Sequence, residues 1–129
     1  MPVHYELDPA LRIVRTTLSG AVSAEEVASH FAALRADPAC PDSLDVLMDT
    51  SDLQTLVSVD LIRASGAELQ RTRERIRFRS VAVVAPQLAQ YGMFRMGQML
   101  LEPWFERSYV SRSRDDAERW LAAVRVGAI

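Results

Sequence analysis

The sequence predicts a single α/β domain with a mixed, mainly parallel sheet of about five strands and about four helices. Three observations support this fold class. Short apolar runs alternate with segments in which apolar residues recur every three or four positions, in the order β-β-α-β-α-β-α-β-α. The run Ser80–Ala85 is nearly all apolar, as expected for a central strand that is covered on both faces. The 129 residues, of which 49% are hydrophobic and 25% charged, have the size and composition of one globular domain.

The chain begins with two predicted strands and a helix. Val3–Leu7 and Leu11–Leu18 flank the turn Asp8-Pro9-Ala10, and so short a connection requires antiparallel pairing. Ser23 and Glu26 have the spacing of a capping box, in which each side chain accepts a hydrogen bond from the backbone N–H of the other residue. The first helix therefore begins after Ser23, and its apolar stripe consists of Val27, Phe31 and Leu34.

The middle of the chain predicts a strand and a second helix before the central strand. Leu44–Met48 is an apolar run that follows the first helix, so a crossover connection should place it parallel to a neighbouring strand. Ser58 is the expected N-cap of the second helix. The apolar stripe of that helix consists of Ile62, Leu69 and Ile76.

Three further elements are predicted after the central strand. Pro86 ends that strand and can open a third helix, which continues to Leu101. Trp104–Val110 alternates weakly and is the expected edge strand. A last helix starts at Ser113, and its apolar stripe consists of Ala117, Trp120, Leu121 and Val124.

Bulk properties exclude several classes of function. A formal net charge of -2 is too close to zero to attract nucleic acid. No apolar run approaches the roughly 20 residues that span a bilayer, and residues 1–6 lack the features of a signal peptide. The single cysteine, Cys40, cannot form an internal disulfide. We therefore expect a cytoplasmic protein that neither binds nucleic acid nor inserts stably into a membrane.

The strongest candidate site consists of four consecutive polar residues after the third strand: Asp49, Thr50, Ser51 and Asp52. Ligands of open α/β sheets bind outside the carboxyl ends of the strands, where such a loop would emerge. Its two carboxylates could hold Mg²⁺ or share a proton, but these residue types also favour loops simply because they form turns. Ser58 has a similar ambiguity, since it is either a phosphorylation switch at a helix start or a plain N-cap.

The third helix, predicted over residues 87–101, carries apolar side chains on nearly every face. Such a helix must be buried more completely than an ordinary surface helix. Three arrangements fit it: packing in the core, contact with a protein partner or a second copy of this chain, and the wall of an apolar ligand groove. Arg95 lies within this helix and needs a carboxylate or carbonyl partner if it is buried. We expect a homodimer that forms through residues 87–101.

Residue types that support catalysis are not grouped along the sequence. His4 and His30 are far apart, Cys40 has no companion cysteine, and the glycines are isolated, so neither a metal-ligand pattern nor a phosphate loop is present. We therefore predict no cofactor, no metal site and no enzymatic activity. A reaction that uses Asp49 and Asp52 is the least favoured alternative.

The chain resembles the STAS domains of anti-sigma-factor antagonists, in particular the SpoIIAA-like group of small bacterial proteins. Besides the β-β-α start and the strand Val81–Ala85, the resemblance rests on three segments: Leu47-Met48-Asp49-Thr50-Ser51-Asp52-Leu53, Tyr91-Gly92-Met93-Phe94-Arg95-Met96 and Asp116-Ala117-Glu118-Arg119-Trp120-Leu121. It implies a non-catalytic regulatory module that works by protein–protein contact. The surface that we expect to bind a partner or ligand consists of Asp49–Asp52, Ser58, Asp60 and Arg95.

In the antagonists that this chain resembles, an aspartate-serine-x-glycine motif begins the helix after this strand, and a partner kinase phosphorylates its serine. The motif falls on Val57-Ser58-Val59-Asp60, so the serine is kept, whereas Val57 replaces aspartate and Asp60 replaces glycine. The Asp60 carboxylate would repel a phosphate on Ser58. Related STAS-like proteins also resemble CRAL-TRIO lipid-transfer domains, which implies an alternative function: binding of a small apolar ligand or lipid against helix 87–101.

Overall fold

The computed structural model describes residues 2–129, so Met1 of the predicted domain 1–129 lies outside the described residues. Residues 2–129 form five strands and four helices, joined by short connections. In chain order these are β1 (Val3–Asp8), β2 (Ile13–Gly20), α1 (Ala24–Ala36), β3 (Ser43–Leu53), α2 (Val59–Thr72), β4 (Arg77–Val84), α3 (Leu88–Leu101), β5 (Arg107–Ser111) and α4 (Arg114–Arg125), with a 3-10 turn at Glu102–Trp104. The predicted element order is confirmed.

The five strands form one mixed sheet in the order β1-β2-β3-β4-β5. β1 is antiparallel to β2, whereas β2, β3, β4 and β5 run parallel to one another. Each parallel pair is joined by a helical crossover, which is the connection that parallel strands require. Because the four parallel strands end at the same edge of the sheet, the segments that lead into α1, α2, α3 and α4 all leave from that edge.

The helices cover the two faces of the sheet unequally. α1, α2 and α3 pack on one face, where Leu34 and Leu69 belong to the same buried cluster as Val14, Leu44 and Val83. α4 packs on the opposite face, and its buried side chains lie against β3 and β4. β4 is covered on both faces, which explains why its sequence is apolar without alternation.

Three helix starts were located correctly from sequence because their caps are local. Ser23 and Glu26 form both hydrogen bonds of the capping box. The Ser58 hydroxyl accepts from the backbone N–H of Leu61 at 3.1 Å, and Ser113 caps α4 in the same way. Each hydroxyl satisfies a backbone donor that the helix itself leaves without a partner.

The prediction that a loop begins at Asp49 is wrong, because β3 continues to Leu53. Asp52 and Leu53 pair with Ser19 and Gly20 of β2. The Thr50 side chain is buried, and its hydroxyl donates to the carbonyl oxygen of Val84 at 2.7 Å. Pairing with neighbouring strands therefore overrides the turn-forming tendency of these polar side chains, as tertiary contacts often do.

Several other boundaries differ from the sequence prediction, and two of them share one cause. α2 ends at Thr72, so Ile76 lies beyond it, where it is fully buried just before β4. β5 begins only at Arg107, because the residues before it form the 3-10 turn Glu102–Trp104. In both places an apolar side chain next to an element was assigned to that element, since apolar character alone does not show the local backbone conformation.

Candidate functional site

A cavity of about 170 Å³ lies between the sheet and helices α1, α2 and α3. All five strands contribute to its floor, which consists largely of valine side chains such as Val14, Val46 and Val83. The helices form the walls and roof, with Leu34 from α1 and Leu69 from α2 among the residues that face the space. The surface around the cavity is therefore predominantly apolar.

Helix α3 forms part of the roof of the cavity without filling it. Phe94 and Leu101 face the space, but between them the helix presents Gly97, which has no side chain. A Cβ atom built on Gly97 would lie 3.7 Å from the Cδ1 atom of Ile62, which is an ordinary contact distance. The missing side chain therefore leaves room beside Ile62.

A buried glutamine fixes the N-terminal end of this roof. The Gln90 side chain amide donates to the Thr55 carbonyl oxygen at 2.7 Å and accepts from the Val57 N–H at 3.1 Å. Both partners belong to the connection between β3 and α2, so the amide joins α3 to that connection. Because Gln90 is 2% exposed, losing either bond would leave a buried polar group without a partner.

The polar groups in the cavity wall are uncharged. Within residues 2–129, no aspartate, glutamate, lysine or arginine lines the cavity, and its polar side chains are Thr16, His30, Ser65, Gln98 and Ser108. The Ser65 hydroxyl donates to the Leu61 carbonyl within α2. The Gln98 side chain amide of α3 donates to the Ser108 hydroxyl of β5 at 3.1 Å.

His30 is neutral at physiological pH, because burial lowers its pKa from 6.5 to about 4. Its ring lies edge-on to Tyr5 and Phe31, with ring centroids 5.5 Å and 5.2 Å away. The sequence did not indicate that His30 would lie in a cavity wall. The Val27/Phe31/Leu34 stripe gave only a weak signal, since His30 stands beside it.

The predicted polar site does not bring its two carboxylates into one free cluster. Asp49 accepts from the Arg114 guanidinium at 2.8 Å and from the Ser51 hydroxyl at 2.6 Å. Thr50 is buried, whereas Ser51 and Asp52 are exposed. Asp49 therefore links β3 to α4. Within residues 2–129, no group of three or more histidine, cysteine or acidic side chains could hold a metal ion.

The other predicted contact residues lie on exposed parts of the protein. Ser58 and Asp60 are exposed in the first turn of α2, where the Ser58 hydroxyl is the N-cap. Arg95 is also exposed, so it has no need of the carboxylate partner that a buried position would require. Its guanidinium donates to the Tyr91 hydroxyl at 3.2 Å and lies 6.0 Å from the centre of that ring.

The outer face of α3 is apolar and exposed, which contradicts the expectation of nearly complete burial. Leu88 is 68% exposed and Met99 is 77% exposed. We call the exposed large apolar residues of this helix the α3 stripe; they are Leu88, Met96, Met99 and Leu100. α3 thus faces the cavity on one side and presents an uncovered apolar surface on the other.

No family model and no curated protein matches this chain. Among solved structures, it is similar to an uncharacterised protein of the DUF3478 family from Shewanella loihica PV-4, which has a SpoIIAA-like fold. The two share 13% sequence identity, with a TM-score of 0.60 over 92% of this chain and 91% of the other. The chain therefore has the SpoIIAA-like fold that its sequence resembles. In residues 2–129, no helix is both long and apolar enough to cross a membrane.

Proposed function

We propose that this protein is a non-catalytic binding module that holds a small apolar molecule in the cavity between the sheet and α1, α2 and α3. The observation that carries this proposal is the cavity itself, with about 170 Å³ of space and a predominantly apolar wall. An engineered apolar cavity of roughly 150 Å³ stays dry and binds benzene. The cavity in this protein has a similar volume and an apolar lining, which supports binding of a molecule of this kind.

The energetic cost of empty apolar space favours an occupant. Unfilled core volume destabilises proteins by about 24 cal/mol per Å³, so the upper bound on the cost of this partly open space is on the order of 4 kcal/mol. That is a large part of the 5–15 kcal/mol by which domains are usually stable. A ligand that restores contacts with the cavity wall would recover part of this free energy and raise the melting temperature.

Filling the cavity with a side chain is expected to abolish ligand binding. Ser65 lines the cavity, and its hydroxyl bonds only to a carbonyl of its own helix, so Ser65→Leu adds apolar volume without removing a contact between elements. We expect this variant to melt about 4 °C higher without ligand, which corresponds to roughly 1 kcal/mol. It should also lose the rise in melting temperature that toluene produces in the parent protein.

Ser65→Ala is the matched control, because it removes the hydroxyl without filling the space. It should keep the toluene response of the parent protein in differential scanning calorimetry. Native mass spectrometry of freshly purified protein would show whether an apolar molecule copurifies. An undiminished toluene response in Ser65→Leu would contradict binding in this cavity, and no response of the parent protein to apolar probes would contradict the proposed function.

Protein–protein contact is the second candidate function, in keeping with the SpoIIAA-like fold. Two exposed surfaces support it. Ser51, Asp52, Ser58 and Asp60 lie at or near the carboxyl end of β3 and the start of α2. A phosphate on Ser58 would meet the positive end of the α2 dipole, although Asp60 would oppose it. The α3 stripe is the surface through which two copies of this chain would pair.

One variant in each surface distinguishes pairing of two copies from binding of another protein. If α3 pairs two copies, light scattering should give twice the chain mass of 14.4 kDa, and Met99→Glu should return it to a single chain. Asp52→Lys should leave this mass unchanged but reduce capture of a partner that binds beside Ser58. A mass of 14.4 kDa for the parent protein at high concentration would refute the homodimer.

A further inference from the structure

We propose that the ligand of this cavity is an uncharged molecule, the size of one aromatic ring or a short alkyl chain, with a hydrogen-bonding group directed at Gln98 and Ser108. This inference rests on the proposed function and narrows it from apolar ligands in general to neutral ones with one polar end.

The charge of the ligand follows from the charge of the wall. Among the described residues, no acidic or basic side chain apart from His30 lines the cavity, and burial against Tyr5 and Phe31 lowers the pKa of His30, so its ring is neutral at pH 7. A carboxylate or ammonium group would lose its hydration on entry and find no opposite charge. A neutral molecule avoids this cost, so the cavity selects against ions of the same shape.

The size of the ligand follows from the volume of the space. At about 170 Å³ the cavity is slightly larger than the roughly 150 Å³ cavity that holds benzene. A single ring with one substituent therefore fits without movement of α3. A longer lipid chain would exceed this volume and would have to extend out of the cavity into solvent.

One pair of side chains, Gln98 and Ser108, determines the position of the ligand's polar end. Gln98 donates to the Ser108 hydroxyl, and both side chains line the cavity while remaining half-buried. This single bond leaves the Gln98 carbonyl oxygen, its second N–H and the Ser108 hydroxyl proton able to bond a ligand. Ser65, in contrast, directs its donor to its own helix. A hydroxyl or carbonyl group would therefore be oriented toward the Gln98–Ser108 pair.

Three probes of one size test the inference at pH 7: toluene, benzyl alcohol and benzoate. Calorimetric or ligand-detected NMR titration of the full chain should show benzyl alcohol binding at least tenfold more tightly than benzoate. Gln98→Leu should weaken benzyl alcohol about fivefold while leaving toluene binding equal or stronger. Gln87→Leu makes the same change at an exposed position at the start of α3 and should alter neither affinity.

The outcomes separate this inference from the function on which it rests. Benzoate binding as tightly as benzyl alcohol would overturn the inference while leaving apolar binding intact. An equal loss of toluene and benzyl alcohol affinity in Gln98→Leu would overturn the assignment of the polar end. If none of the three probes binds the parent protein, the inference and the proposed function both fail.

Discussion

Lowering the pH from 6.5 to 4 is expected to destabilise this protein by about 3 kcal/mol through His30 alone. The pKa of His30 is lowered to about 4 in the folded chain because its ring is buried, whereas the unfolded chain keeps the ordinary value of 6.5. Between these values the unfolded chain binds a proton that the folded chain excludes. The stability is therefore complete above pH 6.5 and falls as the pH decreases toward 4.

Urea unfolding between pH 7.5 and pH 4 would measure this loss. His30→Phe keeps a ring next to Tyr5 and Phe31 but cannot titrate, so its stability should change much less over the same interval. The carboxylates of Asp42 and Asp116 have lowered pKa values, chiefly because they accept hydrogen bonds from Arg12 and Tyr109. Their contributions are lost below the ordinary value of 3.8, outside this window.

If the free energy of unfolding decreased equally with pH in the parent protein and in His30→Phe, this account of His30 would be contradicted. The same measurements bear on the proposed function, because His30 lines the cavity. A proton on this ring would place a positive charge in an apolar wall. We therefore expect the stabilisation by toluene to decrease together with the intrinsic stability as the pH approaches 4.

Asp45→Ala is expected to lower the free energy of unfolding by about 3 kcal/mol, since it removes one partner of a largely buried ion pair. The Asp45 side chain accepts from the Arg125 guanidinium at the end of α4 and from the Ser80 backbone N–H at 3.1 Å. The second bond lies where the pairing of β3 with β4 shifts register. Without the carboxylate, both the Ser80 N–H and the Arg125 charge lose a partner.

Chemical unfolding of Asp45→Ala, Arg125→Met and the double variant would test this prediction. The double variant should be less destabilised than the sum of the two single changes, because it leaves no unpaired charge. Asp42→Ala is a suitable control: its carboxylate also pairs with an arginine, Arg12 at 2.9 Å, but it is exposed, so little change is expected. If Asp45→Ala and Asp42→Ala lowered the free energy of unfolding equally, the larger contribution assigned to the buried pair would be refuted.

The comparison of β3 with the helix starts shows which features were predictable from sequence. Ser23, Ser58 and Ser113 were recognised as caps because each bonds a backbone N–H three residues later. The end of β3 was placed too early, since Asp49 and Thr50 resemble turn residues. Their actual conformation depends on partners far along the chain, namely Arg114 and the Val84 carbonyl.

Some features of the candidate site were likewise indicated by the sequence, whereas others depend on contacts between distant elements. The sequence indicated that residues 87–101 have more apolar surface than one packed face requires, and the α3 stripe is that surplus. An apolar ligand groove against residues 87–101 was one of three arrangements that fitted the sequence, but the sequence did not indicate the volume of the cavity, because that volume depends on how far α1, α2 and α3 stand from the sheet. Gln98 and Ser108 had no sequence signal, since a glutamine and a serine on separate elements are unremarkable until the fold brings them together.

The order of the elements, the starts of three helices and the apolar character of the central strand could be predicted from local sequence, because each depends on residues within a few positions of one another. The pairing of Asp49 with Arg114 and the position of His30 in the wall of an apolar cavity could not. Burial and ion pairing depend on distances between elements far apart in the chain, which local periodicity does not encode.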